Sequence, residues 1–402
     1  MEADSSKKNI LIISAISPFP ADSGGATRIY NTIKHLSGHY NLYFLLHKNP
    51  KYRLKTDELD FLLKNTIEYY VFDLKEEKTN CFFGCKTIPY WFSNWFDSEL
   101  ILGINKIIST HAFDFIQVET TQLGYLIDYL PADIPKSLTA YDVCFVSFLR
   151  RLKETRGIKT KFTHFFLWLQ IYIFENKYLS KYNFVTAMSS ADDKFFKQYL
   201  NLKNTFIVPN GIEKIEPKIS AKKSTLKLGY IGSFNHPPNY HAFKFFVNQI
   251  APLLEKKNIK YEFILAGNNK PEDVRYLVNN SPIKNKKSIK QVGFIKDLRD
   301  FYQQIDLLIT PIFSGSGTRL KILESLSFST PVISTTIGAE GINSIDPKYL
   351  MIADTAQDFY KKISTYLFPK TTQSLVKSPG LRKYLWSNIF KSYYQVLNHR
   401  FQ

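Results

Sequence analysis

The chain has 402 residues, a hydrophobic share of 44%, a charged share of 22% and a formal net charge of +18. That length suits two ordinary domains, and that balance excludes a disordered chain. So large an excess of positive charge calls for a partner of opposite sign, whether nucleic acid, anionic lipid or a nucleotide substrate. Three cysteines, Cys81, Cys85 and Cys144, do not make a disulfide framework, and Cys81 and Cys85 lack a second pair for zinc. A reducing cytoplasm is the expected home. The polar start, Met1 to Lys8, carries no small-residue cleavage site and no apolar run able to span a bilayer. A soluble chain, or one peripheral to the inner face of the plasma membrane, is expected.

Apolar runs at 10–15, 42–46, 67–72, 115–118, 137–140 and 184–187 read as buried strands, while Ile29, Ile33 and Leu36 mark one face of the first helix. This alternation predicts a parallel sheet covered by helices. Residues 143–182 interleave Phe145, Phe148, Phe162, Phe165, Phe166, Trp168 and Phe174 with Arg150, Arg151, Lys153, Arg156, Lys159, Lys161, Lys177 and Lys181. The apolar part, 165–174, is too short to span a bilayer. It reads either as a helix lying at an anionic membrane interface or as a core helix with a solvated basic neighbour.

The pattern restarts after the turn signal Val208-Pro209-Asn210-Gly211. Strands follow at 226–231, 261–266, 291–293, 306–311 and 331–335, with helices over 242–254 and from Asp297, and a lysine-rich loop at 284–290. Two Rossmann-like α/β halves with a hinge near Asn210 are expected. The corresponding domains are 1–208, 209–375, and a C-terminal helix over 376–402 returning to the first half.

The most informative stretch is Gly315-Ser316-Gly317-Thr318-Arg319-Leu320-Lys321-Ile322-Leu323-Glu324. It reads as a glycine-rich turn opening a helix whose unpaired N–H groups, Arg319 and Lys321 face an anion. Glu324 stands one turn beyond Lys321 on the same face, suited to a sugar hydroxyl pair. The plainer reading is a solvated helix start. In open parallel sheets ligands sit beyond the carboxyl ends of the strands, where Gly232-Ser233-Phe234-Asn235 and Gly267-Asn268-Asn269 also fall. One pocket is expected from their convergence.

Several of these segments together, Gly229 to Ser233, Leu265 to Gly267, Val292 to Ile295, Gly315 to Glu324 and Pro331 to Gly341, occur in the order found in a known family. With Ser17 to Pro20, Gly24, Gly25 and Arg28 in the first half, the chain resembles the retaining nucleotide-sugar glycosyltransferases of the GT-B fold, close to family 4. The resemblance implies two Rossmann-like domains whose parallel sheets face across a cleft, the second holding a UDP- or GDP-sugar and the first a glycan or polyprenyl-linked acceptor. It further implies that Arg319 and Lys321 neutralise the diphosphate beside Ser316, Gly317 and Thr318, that Glu324 takes the ribose, and that Gly293, Phe294 and Ile295 border the base. Gly232 and Ser233 would line the donor site, Gly24 and Gly25 would approach the phosphates, and Arg28 and Tyr141 would meet the acceptor.

Cleaving the anomeric carbon–phosphate bond leaves an anionic diphosphate, so fixed positive charge is the largest service a protein can give. No Asp-x-Asp arrangement lies in a suitable loop, so lysine and arginine are expected in place of a metal, and no cofactor is expected. Two positions depart from the family. Ser316 stands where many members carry a glutamate that touches the donor sugar, and a neutral hydroxyl accepts less strongly than a carboxylate. Tyr141-Asp142 stands where a histidine is frequent; Asp142 either orients the acceptor hydroxyl or ends a strand. His35, His111 and His236 are expected at surfaces or turns.

A dinucleotide oxidoreductase is disfavoured because Pro18 and Pro20 follow the first strand in place of Gly-x-Gly-x-x-Gly. A nonhydrolysing sugar-nucleotide epimerase has no need of a basic, aromatic acceptor face. A membrane- or RNA-binding protein of the same fold without turnover remains the non-enzymatic alternative, although no nucleic-acid partner is expected.

Overall fold

Strand β1 (Asn9–Ser14) is built on Ile10, Leu11, Ile12 and Ile13, all fully buried. A strand apolar on both faces belongs inside a sheet covered on two sides. In the computed structural model β1 is joined by β2 (Asn41–Lys48), β3 (Glu68–Asp73), β4 (Phe115–Glu119), β5 (Lys136–Ala140), β6 (Phe184–Ala187) and β7 (Thr205–Ile207). Their order is β3-β2-β1-β4-β5-β6-β7, and every pair is parallel. Register sets Ile10 opposite both Leu42 and Phe115.

The structure describes residues 3–48, 53–73, 89–93, 95–155, 157–218, 225–315, 317–366 and 379–400. Cys81, Cys85, Arg156 and Ser316 lie outside them.

A second parallel sheet contains β8 (Leu226–Ile231), β9 (Tyr261–Ala266), β10 (Ile289–Gly293), β11 (Leu307–Thr310), β12 (Val332–Ser334) and β13 (Leu350–Ile352). Its order is β10-β9-β8-β11-β12-β13. Both sheets are doubly wound. The chain runs outward from the central strand to one edge, then returns to the strand's other side. A topological switch point therefore lies between β1 and β4 in one sheet and between β8 and β11 in the other.

The chain divides into two units, one comprising Met1–Asn210 with Trp386–Gln402 and the other Gly211–Leu385. The last helix (Trp386–Arg400) buries Trp386, Ile389, Phe390, Tyr393 and Leu397 against Ile10, Ile12, Ile29 and Ile33 of the first unit. Side chains of this size each stabilise by about 1.5–3 kcal/mol on full burial. Two short strands, β7 and β13, carry no pattern strong enough to be read from sequence. The helix expected at 242–254 starts earlier, at Pro237, and passes through a π turn over Phe246–Ile250 before ending at Lys256.

Candidate functional site

At the second unit's switch point the chain leaves β11 and turns into the helix Leu320–Ser327. Gly315 and Gly317 hold φ values of 94° and 77°, left-handed backbone that a side chain would strain. Arg319 stands just before the first residue of the helix and folds back over this turn, its Nη2 donating to Ser314 O at 3.1 Å and its Nη1 to Gly317 O at 3.3 Å. Lys321 Nζ donates to Asn239 Oδ1 at 2.8 Å and Tyr230 Oη at 3.1 Å, and sits 4.4 Å from the centre of the Tyr230 ring. Opposite it, at the end of β8, a Cβ on Gly232 would stand 2.8 Å from both Lys321 Nζ and the Asn239 amide. Only glycine leaves that space.

Glu324 accepts from Tyr302 Oη at 3.0 Å. Desolvation pushes Lys321 down to about 7, the Arg319 charge adds to this and Glu324 opposes it. Burial raises Glu324, while the Tyr302 hydrogen bond and Lys321 hold it back. His236 precedes the helix that starts at Pro237, after β8; although much of the residue is exposed, desolvation of its ring and the charges of Arg319 and Lys321 keep it below its ordinary value. Arg319 and Lys321 thus bring positive charge together at this helix start, with Glu324 the carboxylate that acts on Lys321.

Asn269 joins the loops that follow β8 and β9. Its Oδ1 accepts from Phe234 N at 2.7 Å and its Nδ2 donates to Gly232 O at 3.0 Å, while Ser233 Oγ donates to Asn268 O at 3.1 Å. Gly293 ends β10, and Phe294 beyond it is 60% exposed. An open cavity of about 650 Å³ begins there, lined by Phe294, Ile295, Lys296, Asp297, Leu298 and Asp300. Gly232, Ser233, Gly317, Thr318, Arg319, Lys321 and Glu324 thus fall on the loops and helix at the carboxyl end of this sheet, with Gly293, Phe294 and Ile295 at its β10 edge.

Gly24, Gly25, Arg28, Tyr141 and Asp142 lie in the first unit. Gly24 and Gly25 open the helix Gly24–Leu36, capped by Ser23 Oγ accepting from Ala26 N at 3.3 Å. A Cβ on Gly25 would meet Ile16 at 2.9 Å and the Tyr141 ring at 3.4 Å. Arg28 is only 3% exposed; its Nη1 donates to Val208 O and Pro209 O, each at 2.7 Å, and its guanidinium lies 5.9 Å from the Trp386 ring. Behind it, fully buried Glu119 accepts from Tyr141 Oη at 2.9 Å and bonds to Gln117, whose Oε1 accepts from Tyr393 Oη at 2.9 Å. Burial raises Glu119, and Arg28 is the main group opposing that rise. Arg28 and the Tyr141 hydroxyl are thus engaged inside the unit.

Asp142 is exposed beyond β5. The next helix, Cys144–Glu154, is capped from behind by buried Glu175, which accepts from Cys144 N at 3.0 Å and Phe145 N at 2.8 Å. Two helices lie within 143–182, Cys144–Glu154 and Ile158–Leu179, and the second has one buried face and one exposed face. Leu167, Ile171, Phe174, Tyr178 and Leu179 enter the core, whereas Ile158, Phe162, Phe165, Phe166 and Ile173 are exposed beside exposed Lys159 and Lys161. No helix among the described residues is long and apolar enough to cross a membrane. Nor, among them, does any group of three His, Cys, Asp or Glu side chains converge as a metal site. His111 and His236 end or begin helices, while His35 stacks on Phe390 at 4.8 Å.

Sequence reasoning did not single out Tyr230, Asn239, Asn269, Tyr302, Glu119 or Glu175. Tyr230 and Asn269 lie within the motifs already noted. Asn239, Tyr302 and Glu175 sit inside helical patterns where nothing separates a functional polar group from a surface one.

Two doubly wound parallel sheets in separate units, the second with a basic glycine-rich helix start at its switch point, define the GT-B class of glycosyltransferases. Residues 225–367, all within the second unit, match the model of the family described as "Glycosyl transferases group 1". Over 366 residues the chain is 23% identical to a Klebsiella pneumoniae protein described as an uncharacterized 44.6 kDa protein in the cps region, covering 89% of this chain and 90% of that one. Sucrose-phosphate synthase from Thermosynechococcus elongatus has a similar structure, with a TM-score of 0.71 at 14% identity over 98% of this chain and 99% of that one. So has Anabaena HepE in complex with UDP-glucose, with a TM-score of 0.63 at 14% identity over 97% and 99%. WaaG, a glycosyltransferase involved in lipopolysaccharide biosynthesis, gives 0.62 at 13% identity over 96% and 98%.

Proposed function

We propose that the protein moves a sugar from a UDP- or GDP-sugar to a glycan or lipid-linked acceptor in surface polysaccharide assembly, with retention at the anomeric carbon and without a metal. The observation that carries this reading is the pair Arg319 and Lys321 at the second unit's switch point, where desolvation has already brought Lys321 down to about 7. A diphosphate there restores the ammonium, and its charge grows as the sugar–phosphate bond breaks, so the stabilisation increases toward the transition state. Glu324 takes the ribose hydroxyls, and Phe294 and Ile295 border the base. HepE, whose structure contains UDP-glucose, supports a nucleotide-sugar donor. The cps-region relative and WaaG support a role in surface polysaccharide.

The first unit takes the acceptor, with Asp142 orienting its hydroxyl, and Gly24 and Gly25 serve the phosphates. The exposed Phe162, Phe165 and Phe166 with Lys159 and Lys161 suit an anionic membrane surface, each cation contributing about 1 kcal/mol near such lipid. That face supports the lipid-linked form of the acceptor. Incubation with UDP- and GDP-sugars tests the donor reading: slow nucleotide release is expected, and product analysis with a matched acceptor should show the donor's anomeric configuration kept. Binding without any release would favour a module that has lost turnover. Flotation with vesicles tests the membrane reading. Binding should require anionic lipid, weaken with salt and fall in the Lys159→Glu/Lys161→Glu variant; protein left in solution at low salt would point to a soluble acceptor.

A further inference from the structure

Tyr302 is a side chain that packing alone does not explain. It is fully buried, its ring packed against Phe301 at 5.1 Å and against Phe328 at 5.6 Å, the latter stacked at 17°. Phenylalanine would fill this space without taking a hydroxyl out of water, which costs about 1–3 kcal/mol when left unpartnered. The hydroxyl instead meets two atoms of the neighbouring helix, Glu324 Oε2 at 3.0 Å and Lys321 O at 3.2 Å. Its backbone is fixed as firmly as its ring, since Tyr302 O accepts from Thr330 Oγ1 and Lys218 Nζ, both at 2.7 Å. A phenol held at ring and backbone therefore presents one donor at one place to the carboxylate that ends the anion-binding turn.

We propose that Tyr302 is a positioning residue for ribose recognition, holding one oxygen of Glu324 so that the carboxylate meets the 2′- and 3′-hydroxyls of a nucleoside diphosphate in a single orientation. This rests on the reading of Glu324 given above. A carboxylate aligned for two hydroxyls gains from both; one free to rotate loses most of the second contact. The cost of losing Tyr302 Oη thus falls on the ribose and spares the diphosphate, which Arg319 and Lys321 hold independently.

The test is calorimetric titration of the full chain with whichever of UDP and GDP it binds, and with the corresponding 2′-deoxynucleoside diphosphate. Tyr302→Phe keeps the ring packing and should weaken the ribonucleotide about tenfold, the loss of one hydrogen bond to a charged group. It should leave the 2′-deoxy analogue nearly unchanged, so that discrimination between the two collapses. Equal losses for both nucleotides would overturn the proposal, because a general loosening of the site does not distinguish sugars. In a double-mutant cycle with Glu324→Gln, the two losses should be strongly non-additive; additive losses would also overturn it. If Glu324→Ala weakens the nucleotide while Tyr302→Phe does not, this inference falls and the donor reading stands. If Glu324→Ala changes nothing, the reading of Glu324 falls first.

Discussion

Replacing Lys321 with alanine removes the most strongly perturbed cation of the second unit's switch point. Desolvation and the Arg319 charge have brought this ammonium from 10.5 to about 7, so much of the cost of burying it is already present before any ligand arrives. A full return to 10.5 on meeting a diphosphate is worth about 5 kcal/mol, at about 1.4 kcal/mol per unit. This is an upper bound. Arg319 and the helix N-terminus remain in the variant, so the expected loss in donor turnover is about two to three orders of magnitude, the usual cost of removing one group that stabilises developing negative charge. The assay is nucleotide release from the donor sugar at saturating donor, with thermal denaturation as control. The folded protein holds this lysine less readily protonated than the unfolded chain does, so at neutral pH it opposes folding and Lys321→Ala should not lower Tm. A variant that keeps most of its turnover, or that loses turnover only because it unfolds, would refute the assignment.

The same residue gives wild-type nucleotide affinity a pH dependence. Binding raises the ammonium's pKa from about 7, so affinity should be full below pH 7 and fall as pH rises, by up to about tenfold per unit. Dissociation constants that stay flat from pH 6 to 9 would contradict this. In the first unit, Arg28→Ala leaves the carbonyls of Val208 and Pro209 without their charged donor and removes the main charge opposing the rise of Glu119, and should destabilise by about 1–3 kcal/mol in chemical denaturation. An unchanged unfolding midpoint would contradict this. Saturating EDTA should leave donor turnover largely intact, because the charge at the leaving group is the protein's own. Loss of activity restored by magnesium or manganese would contradict it.

The sheets were legible because parallel strands buried on both faces are written as uninterrupted runs such as Ile10 to Ile13 and Phe263 to Ala266. The short outer strands β7 and β13 were not, since three residues at a sheet margin carry too little pattern. The cationic turn was legible for the same local reason: its glycines, Arg319, Lys321 and Glu324 lie within ten residues. What escaped is what the fold assembles from distant segments. Tyr302 reaches Glu324 from another helix, Asn239 reaches Lys321 across 82 residues, and Glu175 caps a helix beginning 31 residues earlier. Arg28 was given an acceptor role from its place in a motif. In the structure its Nη1 donates to Val208 O and Pro209 O, contacts that only the tertiary fold could reveal.

The most direct test of the central claim is to locate the nucleotide covalently. Photo-labelling of the full chain with azido-substituted UDP and GDP, followed by peptide mapping, should place the label in the segments around Gly293–Asp297 or Gly315–Glu324, and excess unmodified nucleotide should prevent it. Competable labelling confined to the first unit, or no competable labelling with either nucleotide at concentrations that saturate a glycosyltransferase, would contradict the account.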